Sequence, residues 1–141
     1  MSDAASPERA EFEVVFDGGS LNNPGRGYGS YRLRGPGGES RIKRLSFGDG
    51  VTNNEAEYRA LIHALEDLLE ELARQGRAAE SVRLVIRGDS QLVLNQVAGR
   101  WKVTRPNLAP LNQRARELVG RFGQVELLWH PRLHSVQVLG H

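Results

Sequence analysis

The chain has 141 residues, of which 39% are hydrophobic and 26% charged, a composition typical of one globular domain with one hydrophobic core. It contains no cysteine, which excludes disulfides and thiolate metal sites, and no apolar run approaches the roughly 18 residues of a membrane span. We therefore expect a protein of the reducing cytoplasm that does not enter a membrane. The net charge of +2 is unevenly distributed, because residues 1–73 have 8 basic and 13 acidic side chains whereas residues 74–141 have 11 and 4. A basic second half indicates an anionic partner, nucleic acid first, although a solvated arginine-rich surface would have the same composition.

The first part of the chain predicts three antiparallel strands. Residues 1–10 have no apolar signal-peptide core, and we expect them to be a disordered lead-in to one domain over residues 11–141. Residues 11–18 alternate apolar and polar side chains, the period of a half-buried strand. A loop of about ten residues, rich in glycine and asparagine, follows it, and a loop longer than a turn requires is either slack or functional. The next strands cover residues 28–34 and 40–47, joined by GPGGES, which has the composition of a hairpin turn.

The second part of the chain predicts helices that alternate with strands. In order, these are a helix over residues 56–72 that ends at Gly76, a strand over 82–86, a short helix that ends at Gly99, a helix over 108–122 and a strand over 124–129. The order β-β-β-α-β-α-α-β favours a layered α/β domain. A crossover through the first helix would place the fourth strand parallel to the first.

Three carboxylates stand where these elements are expected to converge. Asp17 ends the first strand, Asp89 follows the fourth, and Glu57 lies in the first turn of the covering helix. If the two strands are neighbours, Asp17 and Asp89 lie side by side at the edge where open α/β sheets bind ligands. Each residue also has an ordinary alternative role. Asp17 would open a turn, Glu57 would complete a capping box with Asn54 as the N-cap, and Asp89 would cap a helix.

Taken together, the three carboxylates favour a metal site. Without a cation, such a cluster repels itself and raises its own pKa values, and hard divalent cations such as Mg²⁺ take oxygen ligands. Two such ions about 4 Å apart would hold the attacking and leaving oxygens of a phosphodiester. The predicted chemistry is therefore metal-assisted phosphoryl transfer.

The residues around the carboxylates suit a nucleic-acid duplex. Gly18, Gly19 and Gly25 would let the backbone approach a ligand closely. Four asparagines offer amide donors and acceptors suited to the base edges and 2′-hydroxyls of a minor groove, namely Asn22, Asn23, Asn53 and Asn54. A phosphate-binding P-loop at PGRGYG is disfavoured, because the segment lacks the lysine and the serine or threonine and a strand follows it.

Three motifs, FDGGSLNNPGRGYGSY, TNNEAEYRALIHAL and IRGDSQLVLNQV, occur in this order, with one of the three carboxylates in each. Together they resemble type 1 ribonuclease H, and the similarity covers residues 11 to about 132. The resemblance implies an α/β ribonuclease H-like fold, a five-stranded mixed sheet flanked by helices, that cleaves the RNA strand of RNA–DNA hybrids. It also implies two Mg²⁺ or Mn²⁺ ions, with Asp17, Glu57 and Asp89 as their ligands and as the catalytic residues.

The resemblance further implies a substrate surface. By motif position, Asn23, Asn54 and Gln91 are similar to the residues that contact the minor-groove face of the RNA strand. Asn53 and Gly18 are further candidates for substrate binding. In members that recognise hybrid, the 2′-hydroxyls and backbone geometry are read more than the base sequence, so we expect low sequence specificity. The RNA–DNA hybrid is the expected partner. No protein partner is implied, and we expect a monomer.

One departure from the family concerns its basic protrusion, an extra helix and basic loop that some members carry. Here only AGRWKVTRPN fills that place, which reduces the protrusion to Arg100, Trp101, Lys102 and Arg105. In one interpretation Trp101 belongs to the core and the cations are solvated. In the other, the stretch grips the phosphates of the DNA strand. Either interpretation predicts a weaker grip than in relatives with the protrusion.

The end of the sequence departs further. WHPR at residues 129–132 matches the start of the family's last loop, where Arg132, or less favourably His134, holds the position assigned to product release. LHSVQVLGH follows, without an acidic residue or the pattern of an amphipathic helix, and the fourth aspartate of the family would fall near Leu139. We therefore expect neither the closing helix nor a fourth acidic ligand. His134, Gln137 and His141 are conceivable substitutes, although a tail histidine is more often simply exposed.

Three functions from different classes fit these observations. The first is an active hybrid-specific ribonuclease, which the complete set of three acids and the asparagines favours. The second is a module that binds RNA–DNA duplex with little or no cleavage, because its metal site is incomplete. The third is a structural domain in which the carboxylates only cap helices and open turns.

Overall fold

The first three strands form an antiparallel meander in the computed structural model, which describes residues 11–140. They are β1 (Phe12–Leu21), β2 (Gly25–Arg34) and β3 (Ser40–Val51). The expected lead-in over residues 1–10 lies outside the described residues. All three strands begin near the expected positions, but the pairing of β1 with β2 extends much further than the sequence predicts.

The expected long loop after Asp17 is wrong. β1 continues to Leu21, and its glycine-rich end pairs with the start of β2, with Gly18 opposite Gly29 and Gly19 opposite Tyr28. Only Asn22–Pro24 connect the strands. Glycine has low strand propensity, so these residues look like a loop in the sequence. Ladder hydrogen bonds and the close packing of a helix hold them in the sheet.

The rest of the chain alternates helices with strands. In order, the elements are α1 (Asn53–Arg74), β4 (Arg83–Gly88), α2 (Gln91–Val97), α3 (Ala109–Val119), β5 (Gln124–Trp129) and α4 (Arg132–Leu139). The strand order is β3-β2-β1-β4-β5, in which β4 is parallel to both β1 and β5. The predicted five-stranded mixed sheet is confirmed. None of the helices within residues 11–140 is long and apolar enough to cross a membrane.

The core lies between α1 and the sheet. Apolar residues of α1 recur every three or four positions, which places Leu61, Leu65, Leu68 and Leu72 on one buried face. Alternate residues of β1, such as Phe16, belong to the same buried cluster. Each fully buried side chain of this size contributes about 1.5–3 kcal/mol of transfer free energy, so the start of α1 is held firmly over β1.

The expectation that no helix follows β5 is wrong, because α4 covers Arg132–Leu139. Ser135 and Leu139, one helical turn apart, are both fully buried, and α4 contacts β1 and β2. Leu133 and Val136 are exposed on the same helix. Because apolar side chains occur on both sides of α4, its sequence lacks the amphipathic period by which a surface helix is recognised.

Candidate active site

Strand pairing brings Asp17 and Asp89 together. β1 and β4 are parallel, and the last pair in their register is Phe16 with Gly88, so the next residue on each strand is an aspartate. A Cβ on Gly88 would lie 2.6 Å from the Phe16 ring, so a larger residue there would push the strands out of this arrangement. The crossover predicted from the sequence is therefore the feature that positions these two carboxylates.

The third carboxylate, that of Glu57, comes from the first turn of α1. This turn lies directly on Gly18, where a Cβ would be 2.5 Å from the Ala56 carbonyl oxygen and 2.7 Å from the Glu57 nitrogen. Only glycine fits this contact without displacing the helix. The approach brings Glu57 beside Asp17, the residue that precedes Gly18.

The ordinary alternative roles of the three acids are not the ones observed. The N-cap of α1 is Thr52, whose capping box uses Glu55 (Glu55 N to Thr52 Oγ1, 3.1 Å; Thr52 N to Glu55 Oε1, 2.9 Å), not Asn54 with Glu57. Ser90, rather than Asp89, caps α2. Asp17 lies inside β1, four residues before its end, and opens no turn.

The three side chains converge closely enough to hold a cation. One carboxylate oxygen from each of Asp17, Glu57 and Asp89 lies within 4.8 Å of the others. Asp17 and Glu57 are only 4% and 8% exposed. Glu57 Oε1 and Asp89 Oδ2 are buried and have no hydrogen-bond partner among residues 11–140. Buried carboxylate oxygens are costly unless they are paired or coordinate a metal, so this donor set fits a hard divalent cation.

Burial and mutual repulsion disfavour the charged forms of Asp17 and Glu57. Burial, followed by the nearby Asp89, raises the pKa of Asp17 to about 6. Burial, and then Asp17 and Asp89, raises the pKa of Glu57 well above its usual value. The positive charge of Arg132 acts in the opposite direction and lowers the pKa of both residues. A protein that keeps such a cluster has a use for its charge, and binding a cation is the simplest one.

The cluster opens into a cleft of about 450 Å³. Of the residues named from the sequence, Gly18, Asn53, Glu57, Asp89 and Arg132 line it. Gly19, which was predicted to let the backbone approach a ligand, lines the cleft as well. Three further lining residues were not predicted from the sequence, namely Ser20, Tyr28 and Ser90. Ser20 and Tyr28 lie where β1 pairs with β2. Because this region was predicted to be a loop, the sequence did not indicate that these two residues line the cleft.

A second cleft of about 270 Å³ lies at the start of α1. Its lining includes Asn23 and Asn54, which the sequence predicted, together with Thr52, Arg105 and Asn107. The Asn107 side chain also hydrogen-bonds to Glu55 of the capping box and helps to lower the pKa of that residue, after the larger effect of the Thr52 backbone. Amide, hydroxyl and guanidinium groups in one cleft suit a phosphate or sugar edge.

Asn23 and Asn53 also link the β1–β2 connection to α1. The Ser20 backbone donates to Asn53 Oδ1 (2.8 Å), and the Asn53 backbone donates to Asn23 Oδ1 (3.0 Å). Both amide oxygens are therefore engaged within the protein. The NH₂ groups are the parts of these side chains that remain to donate to a ligand.

Residues 100–102 of the reduced basic stretch lie outside both clefts, whereas Arg105 lines the second one. Trp101 is 46% exposed, which excludes the interpretation that it belongs to the core, and Lys102 is exposed beside it. Gln91, the first residue of α2, is also exposed. Of the described residues, these three are the predicted substrate contacts that line neither cleft.

No fourth carboxylate joins the cluster among residues 11–140. Leu139, near which the family's fourth aspartate was expected, is the last residue of α4 and is fully buried. His134 and Gln137 are exposed on α4 and do not belong to the cluster, and His141 lies outside the described residues. The buried His130 contacts Ser135 Oγ through Nε2 (2.8 Å), and burial lowers the pKa of that histidine.

Comparison with known proteins gives one consistent answer. The model of the reverse transcriptase-like family matches residues 16–137. The N-terminal ribonuclease H domain of a Mycobacterium tuberculosis protein, solved as a fusion with maltose-binding protein, has a TM-score of 0.77 at 30% identity over 91% of this chain and 87% of that one. Ribonuclease H1 of Halobacterium salinarum has a TM-score of 0.75 at 34% identity over 91% and 92%. LC11-RNase H1 bound to an RNA/DNA hybrid has a TM-score of 0.76 at 27% identity over 89% of each chain.

The full-length relatives are longer than this chain. The match to the bifunctional protein of M. tuberculosis is 37% identical over 86% of this chain but spans only 32% of that protein. The match to ribonuclease HI of H. salinarum is 39% identical over 89% of this chain and spans 60% of that protein. The chain thus spans about a third and about three fifths of the length of these two relatives.

Proposed function

This chain belongs to the reverse transcriptase-like family as a ribonuclease H-type domain, and from that premise we propose that it is an endoribonuclease that hydrolyses the RNA strand of RNA–DNA hybrids. The observation that carries the proposal is the convergence of Asp17, Glu57 and Asp89, two of which present buried oxygens without a hydrogen-bond partner among residues 11–140. The names of the relatives that match this chain support the same activity.

We propose that Asp17, Glu57 and Asp89 hold Mg²⁺ or Mn²⁺, two ions when substrate is bound. Such ions polarise the phosphodiester and lower the pKa of the attacking water. The protein's part is to keep three oxygen ligands at fixed positions, because Asp17 lies on β1, Asp89 directly follows the neighbouring β4, and Glu57 lies on a helix packed against β1. Arg132, at the edge of the same cleft, supplies a cation to the phosphate that bears the developing charge.

The surrounding polar groups would bind the two strands. Asn23 and Asn54 line the cleft at the start of α1, where Arg105 adds a cation for the backbone. Gly18 and Asn53 line the cleft that contains the carboxylates. Gln91, Trp101 and Lys102 extend this surface along α2 and the loop after it. Contacts to sugars and phosphates carry little sequence information, so cleavage should have low sequence specificity.

A second candidate function is supported by the missing fourth carboxylate. With Leu139 buried and three acids in the cluster, the chain would bind hybrid and cleave it poorly or not at all. In either case we propose that the domain over residues 11–141 acts as a monomer in the cytoplasm.

A cleavage assay decides between these functions. A labelled RNA–DNA hybrid is incubated with the protein in Mg²⁺, in Mn²⁺ and in EDTA, and binding is measured separately in Ca²⁺. Metal-dependent cuts confined to the RNA strand support the ribonuclease. Binding in Ca²⁺ without cuts in either active metal supports the binding module. If the protein neither binds nor cleaves the hybrid, the carboxylates have no role in nucleic-acid chemistry, and both candidate functions are overturned.

A further inference from the structure

A chain of buried polar side chains links three helices in the core, and one of its members follows Glu57 in the sequence. Tyr58, the neighbour of Glu57, is fully buried, and its hydroxyl lies 2.7 Å from Gln96 Oε1 and 3.0 Å from Asn112 Nδ2. Gln96 and Asn112 are only 4% and 8% exposed. Gln96 Nε2 in turn donates to the backbone carbonyl of Lys102 (3.3 Å). The chain therefore joins α1, α2 and α3 to the basic loop.

The direction of every hydrogen bond in this chain is fixed by its last member. A backbone carbonyl can only accept, so the NH₂ group of Gln96 must face Lys102. The Gln96 oxygen then faces Tyr58 and must accept the hydroxyl proton. The hydroxyl oxygen is left to accept from the amide of Asn112. All members are satisfied at once, which is the condition under which a buried polar network fixes a single arrangement.

The basic loop depends on α2 for its conformation. The Asn95 carbonyl accepts from the backbone N–H groups of both Arg100 (2.9 Å) and Trp101 (3.2 Å), and Asn95 Oδ1 accepts from Arg100 Nε (2.8 Å). Gln96 then holds the next residue, Lys102. An exposed tryptophan and two cations are thus presented on an ordered backbone. The Trp101 and Lys102 side chains are exposed, so the backbone contacts and the Arg100–Asn95 hydrogen bond supply that order.

We infer that Gln96, anchored by Tyr58, is a positioning residue that holds the Arg100–Lys102 loop in place to contact the nucleic-acid backbone. The inference rests on the proposed function for its substrate but concerns residues that are buried away from it. A polar trio in the core is otherwise expensive compared with apolar side chains of the same size. Holding an exposed basic loop in one conformation is a function that would account for this cost.

The test compares Gln96→Met and Tyr58→Phe with Val97→Ala. Methionine has about the volume of glutamine but can neither accept from Tyr58 nor donate to Lys102. Tyr58→Phe removes the anchor alone. Val97 is 5% exposed on the same helix, so Val97→Ala loosens the core without touching the loop. The readouts are backbone hydrogen exchange of residues 100–102, which needs no substrate, and the KM and kcat for hybrid.

We expect Gln96→Met to speed exchange at residues 100–102 and to raise KM about fivefold with kcat nearly unchanged, as the loss of one organising hydrogen bond predicts. Tyr58→Phe should shift both readouts in the same direction. Equal exchange in Gln96→Met and Val97→Ala would overturn the inference even if the wild-type protein has no activity on hybrid. Faster exchange at an unchanged KM would overturn it as well. A wild-type protein that neither binds nor cleaves hybrid would instead refute the proposed function. Hydrogen exchange at residues 100–102 would still decide whether Gln96 holds the loop.

Discussion

Gly18 and Ala56 are in direct backbone contact, so close that a Cβ on Gly18 would lie 2.5 Å from the Ala56 carbonyl oxygen. This contact sets the distance between the end of β1 and the first turn of α1, and therefore between Asp17 and Glu57. Gly18 has an extended backbone within β1, so alanine is excluded here by space rather than by conformation.

We predict that Gly18→Ala displaces the start of α1, lowers the free energy of unfolding by about 1–3 kcal/mol and reduces cleavage at least tenfold. Gly120→Ala is the matched control, because a Cβ there lies 3.4 Å from its nearest neighbour and the residue has helical dihedrals. Urea denaturation and initial cleavage rates measure the two effects. A Gly18→Ala protein that is as active as Gly120→Ala would show that the spacing of the two carboxylates is not critical.

The second prediction concerns the ligands themselves. Asp17→Asn, Glu57→Gln and Asp89→Asn should each reduce cleavage at least a hundredfold while the fold is kept, because each removes a charged oxygen from the proposed metal site. Mg²⁺ or Mn²⁺ should raise the Tm of the wild-type protein but not that of the variants, since an ion that binds only the native state stabilises it. Glu80→Gln, which removes an exposed carboxylate from a distant turn, is the control. A variant that retains more than about a tenth of the wild-type rate would remove that residue from the assignment.

The proximity of Asp17 and Asp89 could be predicted from the sequence because it depends on patterns that extend over many residues, namely strand alternation and a crossover helix. The glycine-rich end of β1 could not. Gly18 and Gly19 have no side chains from which to infer a strand, and their place in the sheet is decided by pairing with β2 and by the contact of Gly18 with α1, which is far away in sequence.

Helix α4 and the buried polar chain around Tyr58 could not be predicted from the sequence for a related reason. Helix α4 buries Ser135 and Leu139 but exposes Leu133 and Val136, so its pattern does not distinguish the two faces. Gln96 and Asn112 look like ordinary solvated positions in their helices. Only the three-dimensional arrangement shows that they meet around the Tyr58 hydroxyl.

The third prediction concerns pH in the absence of divalent metal. The folded-state pKa of Asp17 is about 6, above its unfolded value of 3.8, so the folded protein binds more protons between these values and becomes less stable as pH rises. Asp17→Asn should therefore stabilise the protein in EDTA, by about 1 kcal/mol more at pH 7 than at pH 5.

Each variant must be compared with wild type at the same pH, because His130 changes the stability of the folded protein with pH in the direction opposite to that of Asp17. Burial lowers the pKa of that histidine, so its effect is to destabilise the folded protein at low pH. Asp89 and Arg132 also face the cluster, and both residues are present in both proteins. Chemical denaturation of both proteins at the two pH values measures the difference. An Asp17→Asn protein that is no more stable than wild type at pH 7 would contradict the repulsion described above.

The fourth prediction concerns the buried Leu139. With three carboxylates in the cluster, one ion should bind weakly, and Mn²⁺ generally binds an oxygen site more tightly than Mg²⁺ does. We expect slow cleavage that is faster in Mn²⁺ and requires high concentrations of either metal. Leu139→Asp should not restore a fourth ligand. It should lower the free energy of unfolding by at least about 3 kcal/mol, because it places a charge in the apolar contact between α4 and the sheet. Rates measured against metal concentration test the first part. Saturation at low Mg²⁺ would mean that another group completes the site.

The last prediction separates the two effects of Arg132. Its guanidinium lowers the pKa values of Asp17 and Glu57, and the same positive charge must repel a divalent cation bound to these carboxylates. Arg132→Gln should therefore bind Mn²⁺ about three- to tenfold more tightly, the effect of removing one like charge at a partly solvated distance. It should nevertheless cleave hybrid more slowly, because the cleft loses the cation that we propose to face the phosphate. Calorimetric titration with Mn²⁺ and single-turnover cleavage measure the two quantities. Arg105→Gln, which removes a cation from the other cleft, should leave Mn²⁺ affinity unchanged. If Arg132→Gln weakens Mn²⁺ binding instead, the arginine organises the carboxylates, and its role is structural rather than electrostatic.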